Sequence, residues 1–479
     1  MHMKHGVTQF LLSHARKQPV SFHMPGHKGS AIYRENGYGA FLDHFVDCDI
    51  TEIPEADNLY QAEDIIADTM EKYRRLYGVR ESYLLINGSS AGLVASILTC
   101  VPRDGKLIMA RNCHKSIFNG LLMAGAEPVY LHPEMIDDYG ISGEISVETV
   151  KAAIAEHPDA SAVILPSPNY YGICSDIEAI AAAVHEAGMV LIVDQAHGAH
   201  LHFFGSHLGE PFMSADDLGA DIVIQSTHKT LASFTQSAIV NLCTDRVDKY
   251  LFEDKLQLLE STSPSYLLMA SLDINADLLE TQGERLIGEW EENLKWFYKR
   301  APEEVEGLRL MAHPMLDHTK INLDMSAYGI DGLELEELLN EKAIFPELVT
   351  GNIVMCMTGI GNKRCDYERL LEALKEIAAE RGLCEDTADS AAAPKATQAV
   401  TMKRLVQTAI PTAKESVPME EAAGRVCAAS IIPYPPGIPI ICPGEIIDQE
   451  VLNYCADLRT RGEKVMGIDD KGRVLVGVL

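Results

Sequence analysis

Short apolar segments alternate with longer helix-like segments through the first half of the chain. The apolar runs are continuous, which is typical of strands that are buried on both faces. Strands of this kind alternating with helices predict an α/β fold whose mainly parallel sheet is covered by helices on both sides. The strands are predicted at Tyr83–Ile86, Leu107–Met109, Ala162–Leu165, Val190–Val193 and Ile222–Ile224, and the helices at Ala91–Cys100, Ser116–Ala124 and Ile177–Ala187.

The length of 479 residues suits two or three domains. An N-terminal arm rich in Gly, His and Pro precedes a helical stretch that runs from about Gln61 to Tyr77. A second long helical stretch, about Ser265 to Glu304, leads into a further mixed region. The predicted division is an arm at 1–60, a large domain at 61–305, a smaller α/β domain at 306–386, an Ala-rich linker at 387–401 and a C-terminal domain at 402–479.

The charge of the chain limits the partners that it can bind, and its cysteine content indicates its cellular compartment. The chain has 40 basic and 70 acidic residues, a net charge of -30, which disfavours nucleic acid and anionic membranes and favours a cationic substrate. Its 11 cysteines form no C-x-x-C pair, as expected in a reducing compartment. No leader-like or membrane-spanning apolar run is found, so we expect a soluble cytoplasmic protein.

A lysine and an aspartate follow two of the predicted strands. Lys229 lies shortly after the strand at 222–224, between Ser226, His228 and a Thr-Leu-Ala segment. Open α/β sheets bind ligands at the carboxyl ends of their strands, and lysine can form a Schiff base with an aldehyde cofactor. Asp194 ends the strand at 190–193, where a carboxylate can keep a pyridine nitrogen protonated. Taken alone, Lys229 could also be an ordinary surface lysine, and Asp194 could be an ordinary turn aspartate.

Two further strand ends carry groups that suit the same ligand. Ser89 and Ser90 open a predicted helix, whose free N–H groups favour an anion, although the Gly-Lys-Ser ending of a Walker loop is absent. His114 follows another strand and could stack on a flat ring, or be an ordinary histidine in a first helical turn. Together the four strand ends describe a site for pyridoxal 5'-phosphate (PLP).

The histidines after Asp194 raise the question of a metal site. On a strand, His200 and His202 would share one face and His197 would lie on the other. No carboxylate or further histidine stands at metal-ligand spacing, so no metal is predicted.

Seven motifs together resemble the bacterial ornithine/lysine/arginine decarboxylase family, which are PLP enzymes of the aspartate-aminotransferase fold. The resemblance covers most of the chain and implies that fold for the large domain, with smaller α+β domains behind it. The motifs are HMPGHKG (His23–Gly29), NGSSAG (Asn87–Gly92), RNCHKS (Arg111–Ser116), DQAHGAH (Asp194–His200), STHKTLASFTQS (Ser226–Ser237), STSPSY (Ser261–Tyr266) and YPPGIPIICPGE (Tyr434–Glu445).

The resemblance implies a role for each matching residue. Lys229 would carry the cofactor, His114 would stack on its ring, and Asp194 would pair with the ring nitrogen. Ser261 would be lent to the phosphate of a partner subunit, and Glu445 would lie near the distal cation of the substrate. The remaining cofactor contacts would be Ser89, Ser90 and Ala91 at the first loop, Ala196 and His197 beside the ring, and Ser226 and His228 at the phosphate.

The implied activity is decarboxylation of a basic L-amino acid to its amine and carbon dioxide, in polyamine biosynthesis. Arginine is the preferred substrate, with lysine or ornithine next. Since the PGHKG loop begins at Pro25, the chain resembles the short form of the family, which implies a homodimer or a dimer of dimers with active sites at the subunit interface. The loop at Phe22–Gly29 would serve a neighbouring subunit's site or brace the dimer.

Two alternatives stay open at this point. Another PLP reaction, such as transamination or aldol-type cleavage, is compatible with the same fold, and Arg364 is a candidate for the arginine with which an aminotransferase grips a carboxylate. A non-catalytic binding protein is disfavoured, because Lys229, Asp194 and His114 are all present.

Overall fold

The structure is a computed structural model that describes residues 6–204, 206–207, 210–211, 214–384, 410–434, 439–460 and 464–478. The predicted linker at 387–401 lies outside these residues, so its extent stays a prediction. Within the described ranges, no helix has the length and apolar character needed to cross a membrane.

The N-terminal segment is tied to two other parts of the chain. Its short strand pairs in parallel with Ile344–Pro346, far along the sequence. Its longest helix buries Ile66, Thr69, Tyr73 and Tyr77 at helical spacing and ends where Gly78 adopts a φ of +64°, which confirms the helix predicted there. The elements are α1 (Val7–Arg16), β1 (Val20–Phe22), α2 (Ala31–Glu35), α3 (Gly39–Asp43) and α4 (Ile65–Tyr77).

The next part of the chain builds the central sheet and the helices around it. All five predicted strands and all three predicted helices are present, with bounds shifted by at most two residues. The elements are β2 (Glu81–Leu85), α5 (Ser89–Cys100), β3 (Lys106–Ala110), α6 (Lys115–Ala124), β4 (Glu127–Leu131), β5 (Met135–Ile136), β6 (Ile141–Ser142), α7 (Val147–Glu156), β7 (Ala162–Pro166), α8 (Ile177–Glu186), β8 (Val190–Asp194), α9 (Leu201–Phe204), β9 (Ser206–His207), β10 (Glu210–Pro211), β11 (Ile222–Gln225), α10 (Thr227–Thr230), β12 (Ala238–Leu242) and α11 (Lys249–Leu259).

Seven strands of the described chain form this sheet, in the order β2-β12-β11-β8-β7-β3-β4. All run parallel except β12, which is antiparallel to both of its neighbours. The predicted α/β fold with a mainly parallel sheet is therefore confirmed. Because β2, β3, β8 and β11 run the same way, their carboxyl ends meet at one edge, and the register places Ile224 opposite Asp194.

A 39-residue helix leads from the large sheet into a second α/β layer. Its later turns bury Trp290, Leu294 and Phe297 in a core shared with a four-stranded antiparallel sheet of order β13-β14-β17-β16. The elements of this part are α12 (Tyr266–Glu304), β13 (Arg309–Leu310), β14 (Lys320–Asp324), α13 (Gly332–Glu341), β15 (Ile344–Pro346), β16 (Leu348–Thr350), β17 (Ile353–Met357) and α14 (Arg364–Arg381).

The described C-terminal residues have a core of their own, which includes Val417, Ile447, Leu452 and Val474. Two antiparallel strand pairs and one helix enclose it. The elements are β18 (Lys414–Pro418), β19 (Ile432–Tyr434), α15 (Gln449–Thr460), β20 (Lys464–Met466) and β21 (Arg473–Gly477).

Candidate active site

A cavity of about 380 Å³ opens where the carboxyl ends of the parallel strands meet. Helix α10 begins two residues after β11 and is a single turn long, so Lys229 projects from the strand end into this cavity. The lining residues come from both sheets and from the N-terminal loop. They are Met24, Asn87, Gly88, Ser89, Ser90, Leu93, His114, Pro166, Pro168, Asn169, Tyr170, Asp194, Ala196, His197, Ser226, His228, Lys229, Gln236, Glu347 and Leu348.

Most residues singled out in the sequence line this one cavity. The fold brings them together from four strand ends, because β2, β3, β8 and β11 all point their carboxyl ends at it. They are Ser89, Ser90, His114, Asp194, Ala196, His197, Ser226, His228 and Lys229.

One end of the cavity is built to receive an anion. Gly88, with a φ of +78°, turns the chain so that α5 begins at Ser89 with its N-terminus at the cavity. The hydroxyl of Ser226 is buried and makes no hydrogen bond within the described residues. The Nδ1 of His228 is held by the carbonyl of Ser237 at 2.7 Å, which fixes the orientation of the ring.

Burial shifts the pKa values of Lys229 and Asp194. Burial lowers the pKa of Lys229, although Asp194 and Glu347 oppose the shift. Burial raises the pKa of Asp194, and the Lys229 ammonium and the Ala196 N–H, 3.2 Å from Oδ1, act against it. A neutral amine is the form of lysine that attacks an aldehyde, and a buried carboxylate of this kind gains most from a cationic partner.

Two histidines at the cavity are neutral at ordinary pH. His114 caps α6, with its Nδ1 2.7 Å from the Ser116 hydroxyl, and burial together with Lys229 and Lys115 lowers its pKa to about 3. Burial, followed by Lys229 and Lys320, lowers the pKa of His197 well below its usual value.

The turn that carries His197 is held from the second sheet. Lys320, fully buried on β14, donates to the His197 carbonyl at 2.5 Å and to Asp317 at 2.6 Å. The His197 ring lies 5.0 Å from that of Tyr170, and its Nδ1 is buried without a partner within the described residues.

The loop at Phe22–Gly29 packs inside its own chain. Met24 lines the cavity, the Gly26 N–H donates to the His228 carbonyl at 2.7 Å, and the Gly361 N–H donates to the Gly26 carbonyl at 3.0 Å. The loop therefore supports the turn that carries Lys229. This role within one chain differs from the two expected roles, which were to serve a neighbouring subunit's site or to brace the dimer.

Glu347 was missed in the sequence and lines the cavity. It stands between β15 and β16, and one carboxylate oxygen accepts the Met24 N–H at 2.8 Å. Burial raises its pKa, while the Met24 N–H, Lys229 and Lys28 lower it. The sequence around it, Ile-Phe-Pro-Glu-Leu-Val, has no motif character, so a carboxylate at the break between two short apolar runs was the only signal.

Glu445 does not lie in the cavity, which corrects the role predicted for it. Its side chain is 1% exposed, and its Oε2 is 3.1 Å from Nη2 of Arg111 and 2.6 Å from the Cys442 N–H. A carboxylate that is buried and already paired with an arginine cannot take the distal cation of a substrate. Glu445 is a structural residue of the interface between the C-terminal unit and the large sheet.

Two other predicted contacts are also outside the cavity lining. Ala91 is buried one residue deeper in α5, and its N–H donates to the Gly88 carbonyl at 3.0 Å, so its cofactor role stays a prediction. Ser261 is exposed, and its hydroxyl accepts the Ser263 N–H at 3.2 Å. A single chain leaves its predicted role toward a partner subunit as a prediction.

The arginine proposed for an aminotransferase is used elsewhere. The guanidinium of Arg364 lies over the Trp296 ring, 4.8 Å from its centre, and the described cavity lining contains no arginine. His200 and His202 are likewise engaged, with Asp317 and Asp217 at 3.0 Å each.

The fold and the cavity define an α/β protein with a ligand site at the carboxyl ends of its parallel strands. Residues 6–323 match the family model described as "Orn/Lys/Arg decarboxylase, major domain", and residues 385–471 match that of the C-terminal domain. The chain belongs to the Orn/Lys/Arg decarboxylase family and is an amino acid decarboxylase.

Relatives and solved structures agree with this placement. The chain is 32% identical to the arginine decarboxylase of Bacillus subtilis (strain 168) over 98% of this chain and 96% of the relative. It is 35% identical to the protein YaaO of the same organism over 95% of both. The constitutive lysine decarboxylase of E. coli has the same fold, with a TM-score of 0.74 and 22% identity over 98% of this chain and 81% of that one.

Proposed function

We propose that the cavity binds PLP and that the enzyme decarboxylates a basic L-amino acid, with arginine preferred. The observation that supports this most is the pairing of strands β8 and β11, which brings Asp194 and the Lys229 turn to one cavity. A lysine of lowered pKa and a buried carboxylate are the two groups that an aldehyde-bearing pyridine ring requires.

The unsatisfied polar groups of the cavity fit this cofactor. The buried Ser226 hydroxyl and the N-terminus of α5 at Ser89 and Ser90 suit a phosphate, and His228 is oriented beside them. The proposed contacts are Lys229 for covalent attachment, Asp194 for the ring nitrogen, His114 and Ala196 on the two ring faces, and His197 near the ring edge.

PLP supplies an electron sink for the bond that releases carbon dioxide. The chain contributes positioning and proton control. The Asp194 carboxylate, buried at the end of β8, would hold a proton on the ring nitrogen. Lys229, whose pKa is lowered by burial, is our candidate for the group that would deliver a proton to the product carbon.

We propose Glu347 as the carboxylate that receives the cationic end of the substrate. Apart from Asp194, it is the acidic side chain among the described residues of the cavity lining. Its backbone partner, the Met24 N–H, fixes one oxygen. The other oxygen has no hydrogen-bond partner in the described part of the chain and is open to an ammonium or guanidinium group.

The preference for arginine rests on the relatives named arginine decarboxylase, which are 32–33% identical over nearly the whole chain. A net charge of -30 would also attract a cationic amino acid. Within the same proposal, Ser261 reaches the phosphate of a partner subunit in a homodimer or dimer of dimers, and the enzyme serves polyamine biosynthesis in the cytoplasm.

The experiment is a comparison of L-arginine, L-lysine and L-ornithine with purified protein and added PLP. Carbon dioxide and the amines agmatine, cadaverine and putrescine are quantified separately. We expect agmatine to form fastest. Faster formation of cadaverine or putrescine would reject the arginine preference, and formation of a keto acid without carbon dioxide would reject decarboxylation.

A further inference from the structure

Arg111 joins the C-terminal unit to the turn that carries His114. The unit is defined here as described residues 410–434, 439–460 and 464–478. Arg111 follows β3 directly, and three residues later His114 caps α6 at the cavity. Both belong to one short turn, 111–114, whose first three residues are buried.

The guanidinium of Arg111 makes three hydrogen bonds to one segment of the C-terminal unit. Nη1 donates to the Pro439 carbonyl at 2.5 Å, and Nη2 donates to the Ile440 carbonyl and to Glu445 Oε2, each at 3.1 Å. The planar fork of arginine meets several acceptors at once, which an ammonium cannot reproduce with the same geometry.

The large domain supports the same guanidinium from the other side. Its carbon Cζ lies 5.4 Å from the centre of the Tyr130 ring and 5.8 Å from that of Phe118, a residue of α6. The Arg111 N–H donates to the Leu131 carbonyl at 2.8 Å, and Cys442 of the C-terminal unit packs into the core of the central sheet. The arginine is thus fixed to β4, to α6 and to the C-terminal unit.

We propose that the Arg111–Glu445 pair is a latch by which the C-terminal unit positions the His114 turn at the cofactor cavity. The latch explains why an acidic residue stands at the end of the C-terminal motif although it faces no substrate. It rests on the proposed function only in that His114 is taken to contact the cofactor ring. Arg111 and Glu445 are positioning residues.

A buried ion pair contributes little to the stability of the fold, because desolvation offsets most of the attraction between its charges. An apolar pair can replace it without loss of stability.

Three variants test the pair. Glu445→Gln keeps the shape of the side chain and removes its charge. Arg111→Lys keeps the charge and removes the fork. Glu415→Gln is the matched control, because Glu415 pairs with Arg425 inside the same C-terminal unit and away from the turn.

The primary measurement is amide hydrogen exchange of residues 112–116 in the protein without cofactor. We expect Glu445→Gln and Arg111→Lys to raise this exchange about tenfold or more, because each variant weakens the hydrogen bonds to a charged group that hold the turn. Glu415→Gln should leave it unchanged. In Glu445→Gln and Arg111→Lys the Kd for PLP should also rise about tenfold, because the His114 turn is no longer held in position.

A double variant, Arg111→Met with Glu445→Met, distinguishes an effect on the position of the His114 turn from an effect on the stability of the fold. We expect a thermal midpoint near that of the wild type, with exchange at 112–116 still raised, because methionine offers no donor to the Pro439 and Ile440 carbonyls. Wild-type exchange in folded Glu445→Gln and Arg111→Lys, or restored protection in the double variant, would overturn the latch. If the wild type binds no PLP, the proposed function fails while the exchange measurement still decides the latch.

Discussion

The Gly26 N–H donates to the carbonyl of His228 at 2.7 Å, which joins the N-terminal loop to the residue immediately before Lys229. The approach is so close that a Cβ on Gly26 would lie 2.4 Å from the carbonyl carbon of Thr230. The same loop bonds to Gly361, where a Cβ would lie 2.1 Å from the His27 carbonyl oxygen. Glycine at these two positions lets three backbone segments meet behind the lysine.

Gly26→Ala is therefore expected to displace the Lys229 turn. Overpacking against backbone costs about 1–3 kcal/mol, and the loss should appear both in unfolding by denaturant and in weaker PLP binding. Gly39→Ala is the control, because a Cβ there meets its nearest neighbour at 3.6 Å, an ordinary contact. Equal stability and equal PLP affinity of the two variants would show that the loop does not support the lysine.

Glu347→Gln tests the proposed partner of the substrate cation. Removing the charge should raise KM for arginine about tenfold to a hundredfold, since a hydrogen bond between charged groups contributes roughly 1.5–3 kcal/mol. PLP absorbance should stay. Glu445→Gln, which lies outside the cavity, should disturb KM far less than it disturbs PLP binding. A KM that responds to Glu445→Gln and not to Glu347→Gln would return the substrate role to Glu445.

Asp194→Asn tests the proposed partner of the ring nitrogen. The variant is nearly isosteric and still fills the strand end, so we expect PLP to bind while turnover falls about tenfold to a hundredfold or further, because the buried anion is gone. The control is Asp216→Asn, a half-buried carboxylate, which accepts hydrogen bonds from Gln225 and Asn241 and lies outside the cavity lining. Unchanged turnover in Asp194→Asn would remove this role.

Acid should destabilise the folded protein below about pH 6.5. Burial lowers the pKa of His27 and of His228 to about 4, and burial with Lys229 and Lys115 lowers that of His114 to about 3. The unfolded state therefore binds these protons first, and stability is lost as the pH falls through 6.5. Glu260 acts in the opposite direction, because burial raises its pKa to about 7, so it adds stability as the pH falls from 7 toward 4.5.

Burial lowers the pKa of more histidines than it raises pKa values of carboxylates among the described residues, so the net free energy of unfolding should be smaller at pH 5 than at pH 7.5. The histidines are His23, His27, His114, His197, His200, His228 and His318, and the carboxylates are Asp194, Asp216, Glu260, Glu336 and Glu347. Denaturant titrations at both pH values measure this free energy. Glu260→Gln should deepen the acid loss, because it removes one of the opposing groups. A free energy of unfolding that is equal or larger at pH 5 would contradict the assignment of these histidines as neutral.

The sheet and most of the cavity could be read from the sequence because they depend on local patterns. Continuous apolar runs mark strands buried on both faces, and the polar residues just after them must meet where parallel strands end. That is why Ser89, His114, Asp194 and Lys229 were found. Strand β12, Ala238–Leu242, was not predicted. Nothing in its apolar run indicates that it runs antiparallel to its neighbours.

Three misses at the site depend on long-range contacts. Glu347 reaches the cavity because β15 pairs with β1, more than 320 residues earlier in the chain. Glu445 was assigned to the substrate because its partner, Arg111, stands 334 residues away and no local pattern links the two. The structural role of the Phe22–Gly29 loop depends in the same way on contacts with Thr230 and Gly361.

The most direct test of the central claim uses the two His-Lys pairs that follow strands of the central sheet, His228-Lys229 and His114-Lys115. Lys229 faces the cavity, whereas Lys115 is exposed. Each lysine is replaced by alanine, and visible absorbance of bound PLP is recorded together with carbon dioxide release from L-arginine. The account predicts that Lys229→Ala loses the absorbance of covalently held PLP and the activity, while Lys115→Ala keeps both. Covalent PLP and carbon dioxide release that persist in Lys229→Ala would contradict it.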